Sequence, residues 1–358
     1  MKSRYTAIDL FQGVGGASLG LESAGFKVVA SSDMDPVACD YYWKNLGLKP
    51  FCGDLSRITG LDILEVSCLA RGEVDLVTGC PPCQGFSSLR RTRHPSGGDE
   101  RNDLVRVFLE RVQEMEPKAV MFENVPGMVK GAGSRHFQFY LAKMEKFGYE
   151  TSWGVVNAAD YGVPQFRKRV VALSVKDAGT APPLPPGSHA KPEALVSDQE
   201  PWKTVRDAIG DLPPLEQGES HPSIPNHAAR KHSRRVSNLI YSIPKNGGSR
   251  RSLPREYWLP CHLKLSKEKR GGAENVYGRM WWDRPSPTMT CRCTTPSCGR
   301  FLHPEQDRAI TPREAARLQT FPDSFVFPEE FCHAERLIGN AVPPALVKVL
   351  AKSLLDFL

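Results

Sequence analysis

At 358 residues, 40% hydrophobic and 24% charged, the chain has the makeup of a folded protein with room for two domains, which excludes disorder as its main state. No apolar run approaches the ~18–20 residues of a membrane span, and Met1 to Asp9 has no apolar core behind a basic start, so neither a membrane protein nor a secreted one is expected. The net charge of +7 is modest, but Arg230 to Arg270 holds twelve Lys/Arg against two Glu, a local net of +10 that reads either as a solvated basic surface or as one that tracks phosphates. The ten cysteines are then expected in a reducing compartment, the cytoplasm, as buried, catalytic or metal-binding thiols.

The first ~175 residues read as alternating strands and helices. Tyr5–Leu10 is a short apolar strand, followed by a Gly-rich turn and a helix from about Ala17. Lys27–Ser31 is a second strand. Asp35 and Pro36 then look like an N-cap and first helical residue, opening a helix to about Asn45. Val74–Thr78 is a third buried strand. Leu104, Val107, Phe108, Val112 and Met115 fall at helical spacing, with Asn102 or Asp103 as cap. Lys118–Phe122 is a strand, and Phe137, Tyr140, Leu141, Met144 and Phe147 make another helical stripe. Thr151–Asn157 and Arg169–Val175 close the set as strands. These stripes are core, with no chemistry of their own. The alternation predicts an α/β fold with a mostly parallel sheet and helices on both faces.

The texture changes after Asp177. Ala181 to Pro225 holds ten prolines, which suits loops and excludes long helices. The basic stretch follows with little periodicity. Thr311-Pro312-Arg313-Glu314 is a capping box opening a helix through about Gln319, and Pro343 to Leu358 carries Leu346, Val349, Leu350 and Leu354 on one helical face. There are no internal repeats.

Phe11-Gln12-Gly13-Val14-Gly15-Gly16 lies between a strand and a helix, where glycines let the backbone approach a bound nucleoside. A nicotinamide fingerprint needs a third glycine where Ser18 stands, so an oxidoreductase is not supported. Asp33 ends the second strand, where a carboxylate can accept both ribose hydroxyls; the bland alternative is a helix cap. Asp54 is placed to accept from an adenine amine.

Gly79-Cys80-Pro81-Pro82-Cys83-Gln84-Gly85-Phe86-Ser87 follows the third strand directly. Two prolines stiffen the loop under Cys83, and a thiolate is the natural nucleophile for an electron-poor ring carbon. Cys80 and Cys83 also have zinc-ligand spacing, with Cys291, Cys293 and Cys298 as partners. The two intervening prolines and the lack of a second CxxC argue against a metal. Glu123 sits at the next strand's carboxyl end, where it can hydrogen-bond or protonate a heterocycle. Period-2 spacing then places Gln165, Arg167 and Arg169 on one face, to brace a pocket or meet phosphate.

Six motifs in this order resemble the DNA cytosine-5 methyltransferase family, of prokaryotic or phage type. They are Asp9 to Gly16, Pro82-Cys83, Glu123-Asn124-Val125, Gln165-x-Arg167-x-Arg169, the stretch 311–319, and Gly339-Asn340-Ala341-Val342. The likeness covers nearly the whole chain except about 181–275. It implies a Rossmann-like, S-adenosylmethionine-dependent methyltransferase domain over 1–180, completed by 336–358. A smaller, irregular target recognition domain would span 181–335 and include the 308–322 motif.

The resemblance further implies S-adenosylmethionine as methyl donor. Phe11 packs on its adenine, Asp33 binds the ribose, Met34 covers the other adenine face (an aromatic is commoner there), and Asp54 and Leu55 hold the adenine edge. Gly13, Val14, Gly16, Pro82 and Leu104 line the same pocket, and Asn340 and Val342 complete it. Cys83 is the nucleophile and Glu123 pairs with the base. Arg167 positions the base or the catalytic loop, flanked by Gln165 and Arg169. The loop 87–101, with Ser87, Arg90, Arg91 and Arg93, closes over DNA. Arg250, Arg251 and Arg255 belong to the DNA-binding surface. The implied partner is double-stranded DNA, with room for a cognate restriction endonuclease acting on the same site. The enzyme is expected to be a monomer, cytoplasmic and nucleoid-associated. A tRNA cytosine-5 methyltransferase would carry a Cys-Phe-Thr motif not found here, and intact Cys83, Glu123 and Arg167 argue against a silent DNA-binding homologue.

Overall fold

The structure, a computed structural model, describes residues 5–82, 104–260, 263 and 275–358. They form two compact units. The first takes in the chain as far as Tyr161, Lys168–Ser188 and Val342–Leu358. The second comprises Gly162–Arg167 and His189–Ala341. Gly162–Arg167 and the residues from 336 to Ala341 thus pack with the second unit, although they lie within the stretches expected in the catalytic domain.

The first unit is built on a seven-stranded sheet of β1 (Tyr5–Leu10), β2 (Phe26–Asp33), β3 (Phe51–Cys52), β4 (Leu76–Gly79), β5 (Ala119–Asn124), β6 (Tyr149–Asn157) and β7 (Lys168–Lys176). The strand order is β3-β2-β1-β4-β5-β7-β6. All pairings from β3 through β5 are parallel, while β7 runs antiparallel to both β5 and β6. The sheet is therefore mixed, with its parallel part first in sequence. Leu10, Leu76, Val77, Val120 and Phe122 are fully buried, as expected of strands covered on both faces.

Local signals set the helices. α1 (Gly16–Ala24) lies between Gly15 and Gly25, both left-handed. α2 (Pro36–Leu46) starts as anticipated, with Asp35 accepting from the Val37 N–H at 3.1 Å and Pro36 behind it. α3 (Gly60–Ser67) opens on a Thr59/Asp62 capping box. α4 (Leu104–Met115) and α5 (Ser134–Lys146) bury the predicted Phe108, Val112, Met115, Phe137, Tyr140 and Met144. The helix Pro344–Lys352 lies against α1 at Gly20, where an added Cβ would meet the Pro344 carbonyl oxygen and Val347 Cβ, each at 2.6 Å. By length and composition the stretch Phe331–Phe357 would pass for a membrane span; it folds instead as the helices Phe331–Asn340 and Pro344–Lys352, broken at Pro343 and mostly buried.

The second unit has little regular structure and a small core of Leu239, Ile240, Ile243, Val276, Tyr277, Leu302 and Ala309. Buried arginines do the work that ladders do elsewhere. Arg279 donates to the carbonyls of Ile240, Ile243, His303 and Gln306, and Arg313 to those of Pro225, Pro322 and Phe325. Irregular backbone removed from water needs such donors. The basic stretch is not featureless either: Arg234–Ser242 is a helix that buries Leu239 and Ile240.

Candidate active site

The carboxyl ends of β1, β2, β4 and β5 lie along one edge of the sheet, because these strands are parallel neighbours. After β1 the chain turns through Phe11 and Gly13, both left-handed at φ 61° and 55°, and reaches α1 at Gly16. The Gly13 N–H donates to Asp33 Oδ2 at 2.8 Å, and the Asp35 N–H donates to Asp33 Oδ1 at 2.9 Å. Asp33 is thus locked to the glycine turn, with lone pairs to spare on each oxygen. Burial raises its pKa, and those backbone donors pull the other way. Among the described residues an added Cβ on Gly13 would meet nothing within 4 Å, so the turn faces open space.

The remaining expected cofactor residues are placed as follows. Phe11 is half-buried, Val14 and Gly16 are buried, and Met34 is 68% exposed. Asp54 caps the turn Leu55–Arg57 by accepting from the Ser56 N–H at 2.9 Å, over a buried Leu55. Pro82 and Leu104 are half-buried, and Val342 is buried. Asn340, exposed in the second unit, accepts from the Cys291 thiol at 2.9 Å.

Ser18, the residue that breaks the dinucleotide fingerprint, has its own task. Its hydroxyl donates to the buried Asp9 carboxylate at 2.5 Å and lies 2.9 Å from the Tyr42 hydroxyl. Burial pushes the Asp9 pKa up to about 7 despite that hydrogen bond.

Cys83, Ser87, Arg90, Arg91 and Arg93 lie outside the described residues. The approach to Cys83 is described as far as Pro82. Asn124, at the end of β5, donates from Nδ2 to the Pro81 carbonyl at 3.2 Å and so fastens the proline pair to the next strand. Beside it, Arg169 Nε stands 2.7 Å from Glu123 Oε1, with both side chains 12% exposed. The β5–β7 register, with Asn124 opposite Val170, brings them together. Burial and then the charges of Glu123 and Asp9 push the Cys80 thiol well up, so Cys80 is a neutral neighbour of Glu123 rather than a second nucleophile.

The expectation that Gln165, Arg167 and Arg169 share one face is corrected. β7 begins only at Lys168, so period-2 geometry does not extend back to Gln165. Gln165 and Arg167 are buried in the second unit. Gln165 donates to Gln319 Oε1 at 2.8 Å and accepts from the Met289 N–H at 2.8 Å. Arg167 donates to the carbonyls of Met289, Gly339 and Ala341 at 3.1, 3.2 and 2.9 Å. Of the three, Arg169 is the one placed beside Glu123. The 311–319 motif is likewise an internal brace, with Glu314 accepting from Arg308 at 2.7 and 2.8 Å and from the Thr311 N–H at 2.7 Å.

Of the basic residues singled out for DNA, Arg250 is buried, its guanidinium 5.2 Å from the Trp258 ring centroid, while Arg251 and Arg255 are exposed. Part of the charge excess therefore faces inward. Among the described residues, no three His, Cys, Asp or Glu side chains are placed to hold a metal.

A seven-stranded Rossmann-like sheet in the order β3-β2-β1-β4-β5-β7-β6, with β7 antiparallel, matches a methyltransferase fold. The sequence profile of the C-5 cytosine-specific DNA methylases matches residues 5–356. The chain is 38% identical over 357 residues to the Type II methylase M.HgiDII of Herpetosiphon aurantiacus, covering 98% of this chain and 95% of the relative. It is 36% identical to the Type II methyltransferase M1.HphI of Haemophilus parahaemolyticus, covering 98% and 86%. Among solved structures it is similar to a prophage-encoded E. coli protein described as a DNA modification methyltransferase, with TM-score 0.68, 26% identity and 99% of each chain covered. The chain belongs to the C-5 cytosine-specific DNA methylase family, and its activity is that of a DNA (cytosine-5)-methyltransferase.

Proposed function

We propose that the chain methylates cytosine within a specific duplex sequence, with S-adenosylmethionine as donor and Cys83 as nucleophile. The observation that carries this reading is the line of groups along one sheet edge: the Gly13–Asp33 lock, the Pro81-Pro82 approach to Cys83, and the Glu123–Arg169 pair. The open face of Gly13 and the spare lone pairs of Asp33 fit a nucleoside whose ribose hydroxyls need acceptors. Phe11, Met34, Asp54 and Leu55 would hold the adenine. Gly16, Val14, Pro82, Leu104 and Val342 would line the pocket. When bound, S-adenosylmethionine supplies an electrophilic methyl group.

The chain's own residues do the rest. The target base must leave the duplex stack, at a cost of a few kcal/mol. Cys83 thiolate adds to ring carbon 6, and the electron pair moves toward carbon 5. A proton shared between Glu123 and ring nitrogen 3 offsets the negative charge that develops there, while Arg169 keeps the Glu123 carboxyl group aimed. Carbon 5 takes the methyl group, and loss of its proton expels Cys83. Arg167 and Gln165 act as positioning residues through the backbone at Met289, Gly339 and Ala341. Arg251 and Arg255, with Ser87, Arg90, Arg91 and Arg93, would meet phosphate or base edges. The named relatives are Type II enzymes, which supports a cognate restriction endonuclease acting on the same site.

The test is a duplex library bearing 5-fluorocytosine, incubated with labelled S-adenosylmethionine. Fluorine blocks the final elimination. A denaturant-stable protein–DNA adduct that needs the donor and vanishes in Cys83→Ser supports the mechanism. Label on a tRNA control and none on any duplex would overturn it.

A further inference from the structure

Two free thiols flank Asp33, and the reaction uses neither. Cys39 lies early in α2 and is buried; Cys52 ends β3 and is exposed. The parallel β2–β3 pairing puts Cys52 directly alongside Asp33. The Cys39 thiol donates to the Asp33 carbonyl oxygen at 3.4 Å, and the N–H of Gly53, next in sequence to Cys52, donates to that same oxygen at 2.9 Å. Gln12, in the glycine turn, donates from Nε2 to Cys39 Sγ at 3.9 Å. Burial and the adjoining Cys52 sulfur push the Cys39 thiol up, so it stays protonated at neutral pH.

The geometry points to Cys39 and Cys52 as an oxidation site, at which a peroxide forms a disulfide that ties α2 to β3 and weakens cofactor binding at Asp33. The exposed Cys52 reacts first. Its sulfur attacks a peroxide oxygen, the O–O bond breaks, and hydrogen peroxide leaves as water while Cys52 becomes a sulfenic acid. As Cys39 leaves the Asp33 carbonyl, its proton passes to the departing hydroxyl, its sulfur takes that oxygen's place on Cys52, and the S–S bond forms as a second water leaves. Two thiols are oxidised by two electrons and one peroxide is reduced to two waters. To reach Cys52, Cys39 must release the Asp33 carbonyl and draw on the start of α2, where the Asp35 N–H holds Asp33 Oδ1 at 2.9 Å. A reductant restores the site.

The inference rests on the assignment of Asp33 to the cofactor, so the test separates the two. All proteins carry Cys83→Ser, which removes the reactive nucleophile and makes binding the readout. The full chain is treated with hydrogen peroxide, blocked with an alkylating agent, and analysed by peptide mass spectrometry and by calorimetric titration with S-adenosylmethionine. The expected result is a Cys39–Cys52 linked peptide and affinity at least about tenfold weaker, reversed by dithiothreitol and absent in Cys52→Ser and Cys52→Ala. No linked peptide, a linked peptide with unchanged affinity, or the same loss in the Cys52 variants would each overturn the proposal. If the reduced protein does not bind the donor at all, the cofactor assignment fails instead, and the linked peptide is decided by its mass alone.

Discussion

Arg169 reaches Glu123 from the antiparallel strand β7, at 2.7 Å and in a nearly closed environment. A carboxylate fixed in this way costs little reorganisation when charge develops on the base it faces. Arg169→Ala is therefore expected to lower kcat by about 10²-fold with little change in KM for the donor, and Glu123→Gln by a similar amount. The double variant should be no worse than the more severe single one, because the two residues act as a unit. Single-turnover rates of adduct formation check this. Additive losses would mean that Arg169 has its own contact with DNA.

Arg167 poses the opposite case. It is 2% exposed and, among the described residues, donates to the backbone carbonyls of Met289, Gly339 and Ala341. Arg167→Met strands those acceptors, each worth about 1–3 kcal/mol when buried and unmet. The expected outcome is a loss of several kcal/mol in urea unfolding, with any fall in kcat following from it. A variant as stable as the parent but catalytically dead would return Arg167 to the reacting base.

That contrast shows what the sequence could and could not carry. β1, β2, β4 and β5 were legible because strands buried on both faces are short apolar runs, and Asp33 because its place at the end of β2 follows from local spacing. Arg167 and Arg169 were confused because the period-2 argument needs a strand, and the strand starts at Lys168. The partners that decide Arg167's role lie more than 120 residues away in the chain and leave no local trace. The helix Arg234–Ser242 was hidden by its charge: a basic run reads as surface unless the spacing of Val236, Leu239 and Ile240 is weighed against it. Arg250 shows the same masking, since a guanidinium buried against Trp258 reads in sequence like any exposed charge.

Two glycines of the first unit should behave differently. Gly20→Ala places a methyl group 2.6 Å from the Pro344 carbonyl, and overpacking of this kind costs about 1–3 kcal/mol. Among the described residues Gly13→Ala meets no atoms and carries only the strain of a left-handed alanine, on the order of 1–2 kcal/mol. Its methyl group enters the space assigned to the nucleoside. The thermal unfolding midpoint should fall in both variants, whereas KM for S-adenosylmethionine should rise only in Gly13→Ala.

Asp9 gives a pH signature at the cofactor end. Its folded pKa is raised from 3.8 to about 7, so between those values the native state holds a proton that the unfolded chain has lost. Stability from this group is greatest below pH 3.8, declines as pH rises to about 7, and is flat beyond. Asp9→Asn removes the decline. The variant's stability relative to the parent should rise between pH 4 and 7 by a few kcal/mol at most and then level off. A difference that stays constant over that range would show that Asp9 is ionised throughout.

The second unit carries the opposite dependence, in two separable windows. His303 is buried and its Nδ1 accepts from the N–H groups of Glu305 and Gln306 at 3.1 and 2.9 Å, and burial brings its pKa from 6.5 down to about 4. The unfolded chain takes up a proton before the folded one does, so this stability is full above pH 6.5 and is lost as pH falls toward 4. Burial alone would raise Glu314, but the double hydrogen bond from Arg308 outweighs it and holds the carboxyl at about 2. Its contribution is full above pH 4.5 and is lost between 4.5 and 2. Urea unfolding across pH 3 to 8 should therefore show His303→Gln flattening the upper window and leaving the lower. Glu314→Gln should remove the lower window and, by leaving Arg308 buried without its counter-charge, cost about 3–5 kcal/mol at neutral pH. If His303→Gln leaves the slope between pH 4 and 6.5 intact, another group takes up that proton.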